Sequence, residues 1–402
     1  MSHEALLSPW LASVPLAAST VTGGTMPGIR AIEKADWDAD RPGESEGWAY
    51  LRTCEIDPPQ AMELAAVAVN DGHGFAAGAC LFTLKYRLDT PFQDGVLGRV
   101  CAAIAARAPR LMEWRMLGVG SPFTERCPIS LHPRVAPGAR QPVAAALCQA
   151  VEAQARRQNA SLIAFKDIAP PDLERFSPAL SAAGYVAIES LPVAVLDLAG
   201  CRDLDAYLAH LSSATRKDLR RKLRRAGEVD VEWRSSIAGI EHEIAALYDS
   251  TRTRSHVRYG DFEELPGDYF PRIAAALGGQ AVFACYRVDG VLAAFNLLLV
   301  EGDRVIDKFL GMAYPLGPDH DLYALSWMEN VRFCQRIGRR YLQTGQTAYA
   351  SKLRFGSTLE PRVHLVKHRN RVIHQAIRLA APLLAFPRWD PDLRHARGRR
   401  RP

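Results

Sequence analysis

The apolar positions of this chain fall into short continuous runs, and Asp-Gly pairs separate the runs. AVFACYRV and VLAAFNLLLV flank Asp289-Gly290. That dipeptide between two β-prone runs predicts a hairpin, because the central residues of its favoured turn need positive φ. A third run, Val305 to Met312, follows Glu301-Gly302-Asp303, and Tyr314-Pro315 with the loop LGPDHD stops it. The period then changes. Leu322, Leu325, Met328, Val331, Cys334 and Ile337 recur at helical spacing, Gly338 stands at a C-cap position, and Tyr341-Leu342 opens a last short strand.

The same order occurs earlier in the chain. ELAAVAV, Asn70-Asp71-Gly72 and FAAGACLFTLKY predict a hairpin turning at Asp71-Gly72. EWRMLGVGSP can be laid on DKFLGMAYP, and a helix from Pro142 to Arg157 and the strand SLIAFKDI follow. This reads as an internal duplication. The first copy carries an insertion between Tyr86 and Glu113, with a helix-like stretch at Val100–Ala108. PDLERFSPALSAAGYVAIESLPVAVLDL then reads as a helix ending at Gly184 and a strand pair. The expected organisation is a weakly patterned segment over 1–50, a first lobe over 51–200, a second over 201–368, and a helix with a basic tail over 369–402. Trp37 and Trp48 in the first segment either line a cleft or pack on the surface.

Composition narrows the class. The chain has 402 residues, 48% hydrophobic and 23% charged, which suits two globular lobes with a sizeable core. A net charge of +6 does not by itself indicate nucleic acid. The eight cysteines stand singly, without C-x-x-C or zinc spacing, so reduced thiols and no metal are expected. No apolar run approaches the ~20 residues of a membrane helix. The opening residues lack a basic n-region, so no signal peptide is expected and a cytoplasmic location follows by default.

One stretch is strongly charged. DLDAYLAHLSSATRKDLRRKLRRAG, Asp203 to Gly227, reads as a helix with Leu204, Leu208, Leu211, Leu219, Leu223 and Ala226 as its stripe. Its other faces carry Arg216, Lys217, Arg220, Arg221, Lys222, Arg224 and Arg225. Two readings stand: a solvated basic face, or a row of arginines gripping phosphates.

Hairpin, strand, loop, helix and strand, closed by QTGQTAYASKLRFGSTLEPRVH, resemble the core of the GNAT (N-acetyltransferase) superfamily. The closing motif and the basic helix resemble its FemAB-like and polysaccharide-biosynthesis-associated branches. The resemblance implies an α/β (α+β) fold of tandem lobes, each a mixed twisted sheet flanked by helices. It also implies transfer of an acyl group from acyl-CoA to an amine of a small molecule or an envelope or polysaccharide precursor. The alternatives are an aminoacyl-tRNA-dependent aminoacyltransferase and a non-catalytic binding protein.

The site residues follow from the same resemblance. Strands four and five of the fold splay apart, which places Leu310 and Met312 as backbone contacts to the acyl carrier. Arg220 and Arg224 of the basic helix are expected on its phosphates. The loop before the helix at Leu322 holds one Gly with Asp319 and Asp321, unlike the family's pyrophosphate cradle, and those two acids read as N-cap residues. Asp307, an acid inside an apolar strand and expected on the same face as Val305 and Phe309, either pairs with Lys308 or another base or acts as a general base with a raised pKa. Tyr349 is either a proton donor or packing. Gln346, Lys352 and Arg354 are expected to bind substrate, since Lys352 and Arg354 project together if extended; ion pairing with Glu329, Glu360 or Asp307 is the other reading. Tyr259, in the basic and aromatic loop after the helix near Glu241, is expected at the acceptor cleft. The first copy lacks the closing motif, so the chemistry is expected in the second lobe.

Overall fold

The computed structural model describes residues 11–15, 21–87, 103, 107, 113–254 and 264–398. The helix-like stretch expected at Val100–Ala108 and the acceptor-loop residue Tyr259 lie outside this description, apart from Ala103 and Arg107. The strands are β1 (Leu11–Pro15), β2 (Thr22–Met26), β3 (Glu63–Asp71), β4 (Gly74–Arg87), β5 (Glu113–Val119), β6 (Ile129–Leu131), β7 (Leu162–Ile168), β8 (Val186–Glu189), β9 (Val193–Asp197), β10 (Val229–Arg234), β11 (Ala281–Val288), β12 (Val291–Glu301), β13 (Arg304–Met312), β14 (Tyr341–Gly345), β15 (Thr358–Glu360) and β16 (Val363–His368).

Two mixed sheets result. One runs β1-β2-β3-β4-β5-β7-β16-β8 with β6 beside β4, the other β10-β11-β12-β13-β14-β9-β15. Each places an antiparallel meander next to one parallel pair, β5 with β7 and β13 with β14. The two orders repeat each other, and they reveal an exchange. The last strand of the first half, β9, lies between β14 and β15. The last strand of the second half, β16, lies between β7 and β8. A division of the chain near residue 200 therefore separates β9 from the sheet it completes.

The β11–β12 hairpin turns at Asp289 (φ 50°) and Gly290 (φ 79°), both left-handed, as the sequence predicts. The earlier hairpin turns one residue later than expected. Asp71 still pairs with Gly74, and its carboxylate accepts the His73 amide at 2.8 Å and the Arg134 guanidinium at 2.9 Å, which draws it into the ladder.

The lobes share a core. Phe82, Met116 and Phe123 of the first and Phe270, Phe283, Phe295 and Leu297 of the second belong to one buried cluster. Trp37 joins it, and Trp48 donates its indole N–H to the Ile32 carbonyl at 2.8 Å, so both pack rather than line a cleft. Gly311 of β13 marks a close approach. A Cβ there would come within 2.8 Å of the backbone at Leu247 and Tyr248, in the helix Glu241–Arg254. Gly311→Ala is therefore expected to cost ~1–3 kcal/mol, read as a lower midpoint in thermal unfolding.

The basic stretch is two helices rather than one. Leu204–His210 is capped by Asp203, which accepts the Ala206 amide, and Ser213–Arg225 is capped by Ser212, which accepts the Thr215 amide. Two capping residues at these places compete with a continuous helix and win. Among the described residues no helix is long and apolar enough to cross a membrane.

Candidate functional site

β13 and β14 pair only over Arg304–Ile306 with Tyr341–Gln343, after which the strands diverge. In the first lobe the equivalent pair, β5 and β7, closes over Met116–Val119 up to the end of β5. Among the described residues, the second lobe thus leaves the C-terminal half of its central strand without a strand neighbour on that side, and the first lobe does not. Four successive residues there, Asp307 to Leu310, are partly exposed, whereas Val305, Ile306, Gly311 and Met312 are buried. Met312 faces Ala294 and the Ala313 amide bonds the Ala293 carbonyl, so the amides of Leu310 and Met312 point away from β12 into the splay. The Met312 amide is already engaged, donating to Thr251 Oγ1 at 2.9 Å.

A bulge sets Asp307. The β12–β13 register shifts between Leu297 and Leu298, so that Phe309 opposes Leu297 while Asp307 opposes Leu298. The extra residue breaks the alternation. Phe309 packs toward the interlobe core, whereas Val305 belongs to the cluster behind the sheet. The expected common face of Val305, Asp307 and Phe309 is thereby corrected. Asp307 accepts Asn296 Nδ2 at 2.7 Å and Asn330 Nδ2 at 3.1 Å. Burial pushes its carboxyl up to about 7; the Lys352 charge and the two amides oppose this, and Glu125 adds to it. Among the described residues, the Oδ1 atoms of Asn296 and Asn330 are buried without a hydrogen-bond partner. Tyr323, on the helix Leu322–Arg336, has its phenol pushed up by burial and then by the charge of Asp307, so it holds its proton.

Lys308 does not pair with Asp307. It reaches the first segment of the chain, donating to Glu46 Oε1 at 2.5 Å and to the Phe123 carbonyl at 2.6 Å. Ordinary strand alternation turns adjacent residues 307 and 308 to opposite faces, and the bulge brings Phe309 to the side of Lys308, whose ammonium lies 5.7 Å from the Phe309 ring centre. Burial raises the Glu46 carboxyl, and Lys308 opposes that.

The closing motif builds a wall of the site. Lys352 and Arg354 lie on a short helix, Tyr349–Arg354, so residues two apart diverge and the expected common projection does not occur. Lys352 is buried and donates to the carbonyls of Thr344, Gly345 and Gln346. Burial lowers its pKa, against the charges of Glu125 and Asp307. Arg354 turns outward to Asp218 at 3.1 Å. Gln346 is a turn residue: its amide donates to Glu125 Oε1 at 2.9 Å and its Nε2 to the Leu191 carbonyl at 2.7 Å. Gly345 (φ 79°) leaves room for Glu125, where a Cβ would collide. Tyr349 is buried with Leu191 and Leu393 and donates to the Pro192 carbonyl at 2.6 Å, so it packs away from Asp307.

The basic helix meets the loop before Leu322. Asp321 stands at the N-cap but is left-handed (φ 53°) and makes no capping bond. Its carboxylate pairs instead with Arg225 at 3.3 Å and Lys222 at 3.8 Å, and Arg225 also donates to the Asp319 carbonyl at 3.1 Å. The place of a pyrophosphate cradle is thus filled by ion pairs. Arg220 and Arg224 lie elsewhere, with Arg202, Arg332 and Arg336 along an open groove of about 790 Å³. Arg332 is roughly 200° round its helix from Asn330, so this groove and Asp307 lie on different sides of the helix. Arg220 also pairs with Asp205 at 3.1 Å. Leu310 and Met312 are therefore not brought together with Arg220 and Arg224.

Residues 213–352 match the family described as the acetyltransferase (GNAT) domain. The second lobe is a GNAT domain. Its match begins at the basic helix and ends at Lys352. No curated protein sequence matches the chain. Among solved structures, FemX is similar over 88% of this chain and 99% of its own, with a TM-score of 0.54 and 12% identity. The DUF2156 C-terminal domain of an Agrobacterium fabrum protein assigned as a lysylphosphatidylglycerol synthetase is similar over 88% and 96%, with a TM-score of 0.51 and 17% identity. These likenesses extend the shared fold beyond the GNAT domain to nearly the whole chain, and the fold is of FemAB-like kind. Sequence reasoning reached Asp307 but missed Asn296, Asn330, Tyr323 and Glu125. An Asn inside the run AAFNLLLV was the one visible signal, since a buried amide needs a partner. Among the described residues no group of side chains has the makings of a metal site.

Proposed function

We propose that the GNAT lobe transfers an activated acyl group to an amine, with Asp307 as general base. The single observation that carries this reading is a buried carboxylate with its pKa near 7, on a residue partly exposed where β13 and β14 diverge, and fixed by two amides. The amine nitrogen attacks the acyl carbonyl, its proton passes to Asp307, and the carbonyl oxygen takes up negative charge. The Leu310 amide is placed to meet that charge. Collapse of the intermediate expels the carrier as thiolate or alkoxide, and Tyr323, neutral beside Asp307, is the candidate donor of the proton it needs.

Acyl-CoA is the donor that the GNAT domain suggests. A second reading, an aminoacyl-tRNA donor, is favoured by the ion pairs that fill the loop at 315–321 and by the five arginines of the groove. A diphosphate has no cradle at that loop, whereas a longer polyanion can be held by distributed arginines. The acceptor is an amine of a small molecule or an envelope precursor; similarity to FemX and to the synthetase domain supports that breadth. Thermal shifts test the donors. Acetyl- and longer acyl-coenzyme A are compared with charged and uncharged tRNA, on wild type and Asp307→Asn. A ligand that binds the native state raises the midpoint. A rise with acyl-coenzyme A supports the thioester, and a rise with charged tRNA that weakens as salt increases supports the ester. No rise with either, and no product from either, overturns acyl transfer and leaves a binding protein.

A further inference from the structure

The helix Arg371–Leu384 lies on the first sheet against β8 and β16, with Ile377, Ala381 and Leu384 turned into the interlobe core. Its outer face is apolar as well. Val372, Leu379 and Leu383 are 79%, 83% and 60% exposed, and Ala376 between them is exposed too. Positions 372, 376, 379 and 383 repeat at helical spacing and form one stripe. Trp389 stands at its end, its indole N–H on the Leu383 carbonyl at 2.8 Å. Six large hydrophobic residues are exposed among the described residues, and four of them are Val372, Leu379, Leu383 and Trp389. Apolar side chains scattered singly over a surface need no explanation, but a periodic stripe does.

The charge on the helix itself has one sign. The helix holds no acid, Arg371 and Arg378 border the stripe, and Arg388 and Arg394 follow, all exposed. Two acids that follow are part-exposed and hydrogen-bonded locally: Asp390 accepts the Leu393 amide at 2.9 Å, and Asp392 accepts the Ala350 amide at 2.9 Å; Glu189 of β8, beneath the helix, is exposed. From Arg394 the sequence runs RHARGRRRP, basic and free of acids.

We propose that this face docks the protein on an anionic lipid surface. The stripe enters the boundary between headgroups and acyl chains, and the arginines lie at the level of the lipid phosphates with their stems along the apolar edge. A second copy of this chain is a poorer occupant, because a two-fold contact would set Arg371 and Arg378 against their like. The inference does not depend on the reaction assigned to the GNAT lobe.

The test is flotation of the full chain with vesicles of phosphatidylcholine alone and of phosphatidylcholine with phosphatidylglycerol. Binding to the anionic vesicles, weakening as salt rises, is expected. The double variant Leu379→Asp, Leu383→Asp should lower the partition coefficient roughly ten-fold or more with an unchanged unfolding midpoint, since both side chains face outward. Arg371→Glu with Arg378→Glu should abolish the preference for anionic lipid while leaving the fold intact. No binding to anionic vesicles, or equal binding by wild type and the leucine variant, overturns the proposal. So does a concentration-dependent dimer in sedimentation that the leucine variant loses, which would give the face to a second copy.

Discussion

Asp307→Asn is expected to slow acyl transfer by ~10²–10⁴-fold, the usual contribution of a positioned general base, while raising the thermal midpoint above pH 7. The two effects have one cause. Burial lifts the folded-state pKa of Asp307 from 3.8 to about 7, so the folded chain holds this proton more tightly than the unfolded chain does. The contribution of Asp307 to stability therefore falls as pH rises from about 4 to about 7, and its full cost is present above 7. Asn removes the charge, and the unpartnered oxygens of Asn296 and Asn330 can accept its amide after a flip. Unfolding midpoints at pH 5 and pH 8.5 measure the second effect, and the variant's gain should be larger at the higher pH. The rate of the wild type should climb along a limb with apparent pKa near 7. A variant that keeps the wild-type rate, or a wild-type rate indifferent to pH between 6 and 8, would assign the proton to another group.

Lys352→Met is expected to bring the largest loss of stability, ~3–5 kcal/mol, the scale seen when one partner of a buried charged cluster is removed. Its ammonium is buried and ties three successive carbonyls, those of Thr344, Gly345 and Gln346. Without it these three carbonyls lose a charged donor, and Glu125 and Asp307 lose the cation they both feel. Lys352 lowers the Asp307 pKa, so a variant folded enough to assay should show its activity limb displaced above 7. That displacement separates a positioning residue from one that merely stabilises, since loss of stability alone moves the midpoint and leaves the limb in place. Lys352→Arg keeps the charge but not the compact ammonium, and it should restore the limb better than the midpoint.

Both effects rest on contacts of very different legibility. The β11–β12 hairpin, the helix Leu322–Arg336 and its stop at Gly338 (φ 67°) follow from local pattern, because Asp-Gly, helical period and a C-terminal glycine act within a few residues. The caps Asp203 and Ser212 are equally present in the sequence, but the leucines keep near-helical spacing across Ser212, so the pattern alone does not show the break. Lys352 and Arg354 mark the limit of local reading. Their common projection requires an extended backbone, whereas the six residues Tyr349–Arg354 form a helical turn.

The sequence by itself determined the repeated order of elements along the chain, the α/β class, and Asp307 as an acid out of place in an apolar strand. The tertiary structure alone decided what Asp307 touches. Packing brought Glu46, 262 residues distant in the chain, to Lys308, and Asn296 and Asn330 to the carboxylate. The exchange of β9 and β16 between the sheets was decided at the same level. Local propensities fix which segments become strands, whereas strand neighbours and the partners of a buried charge are chosen by packing over the whole chain.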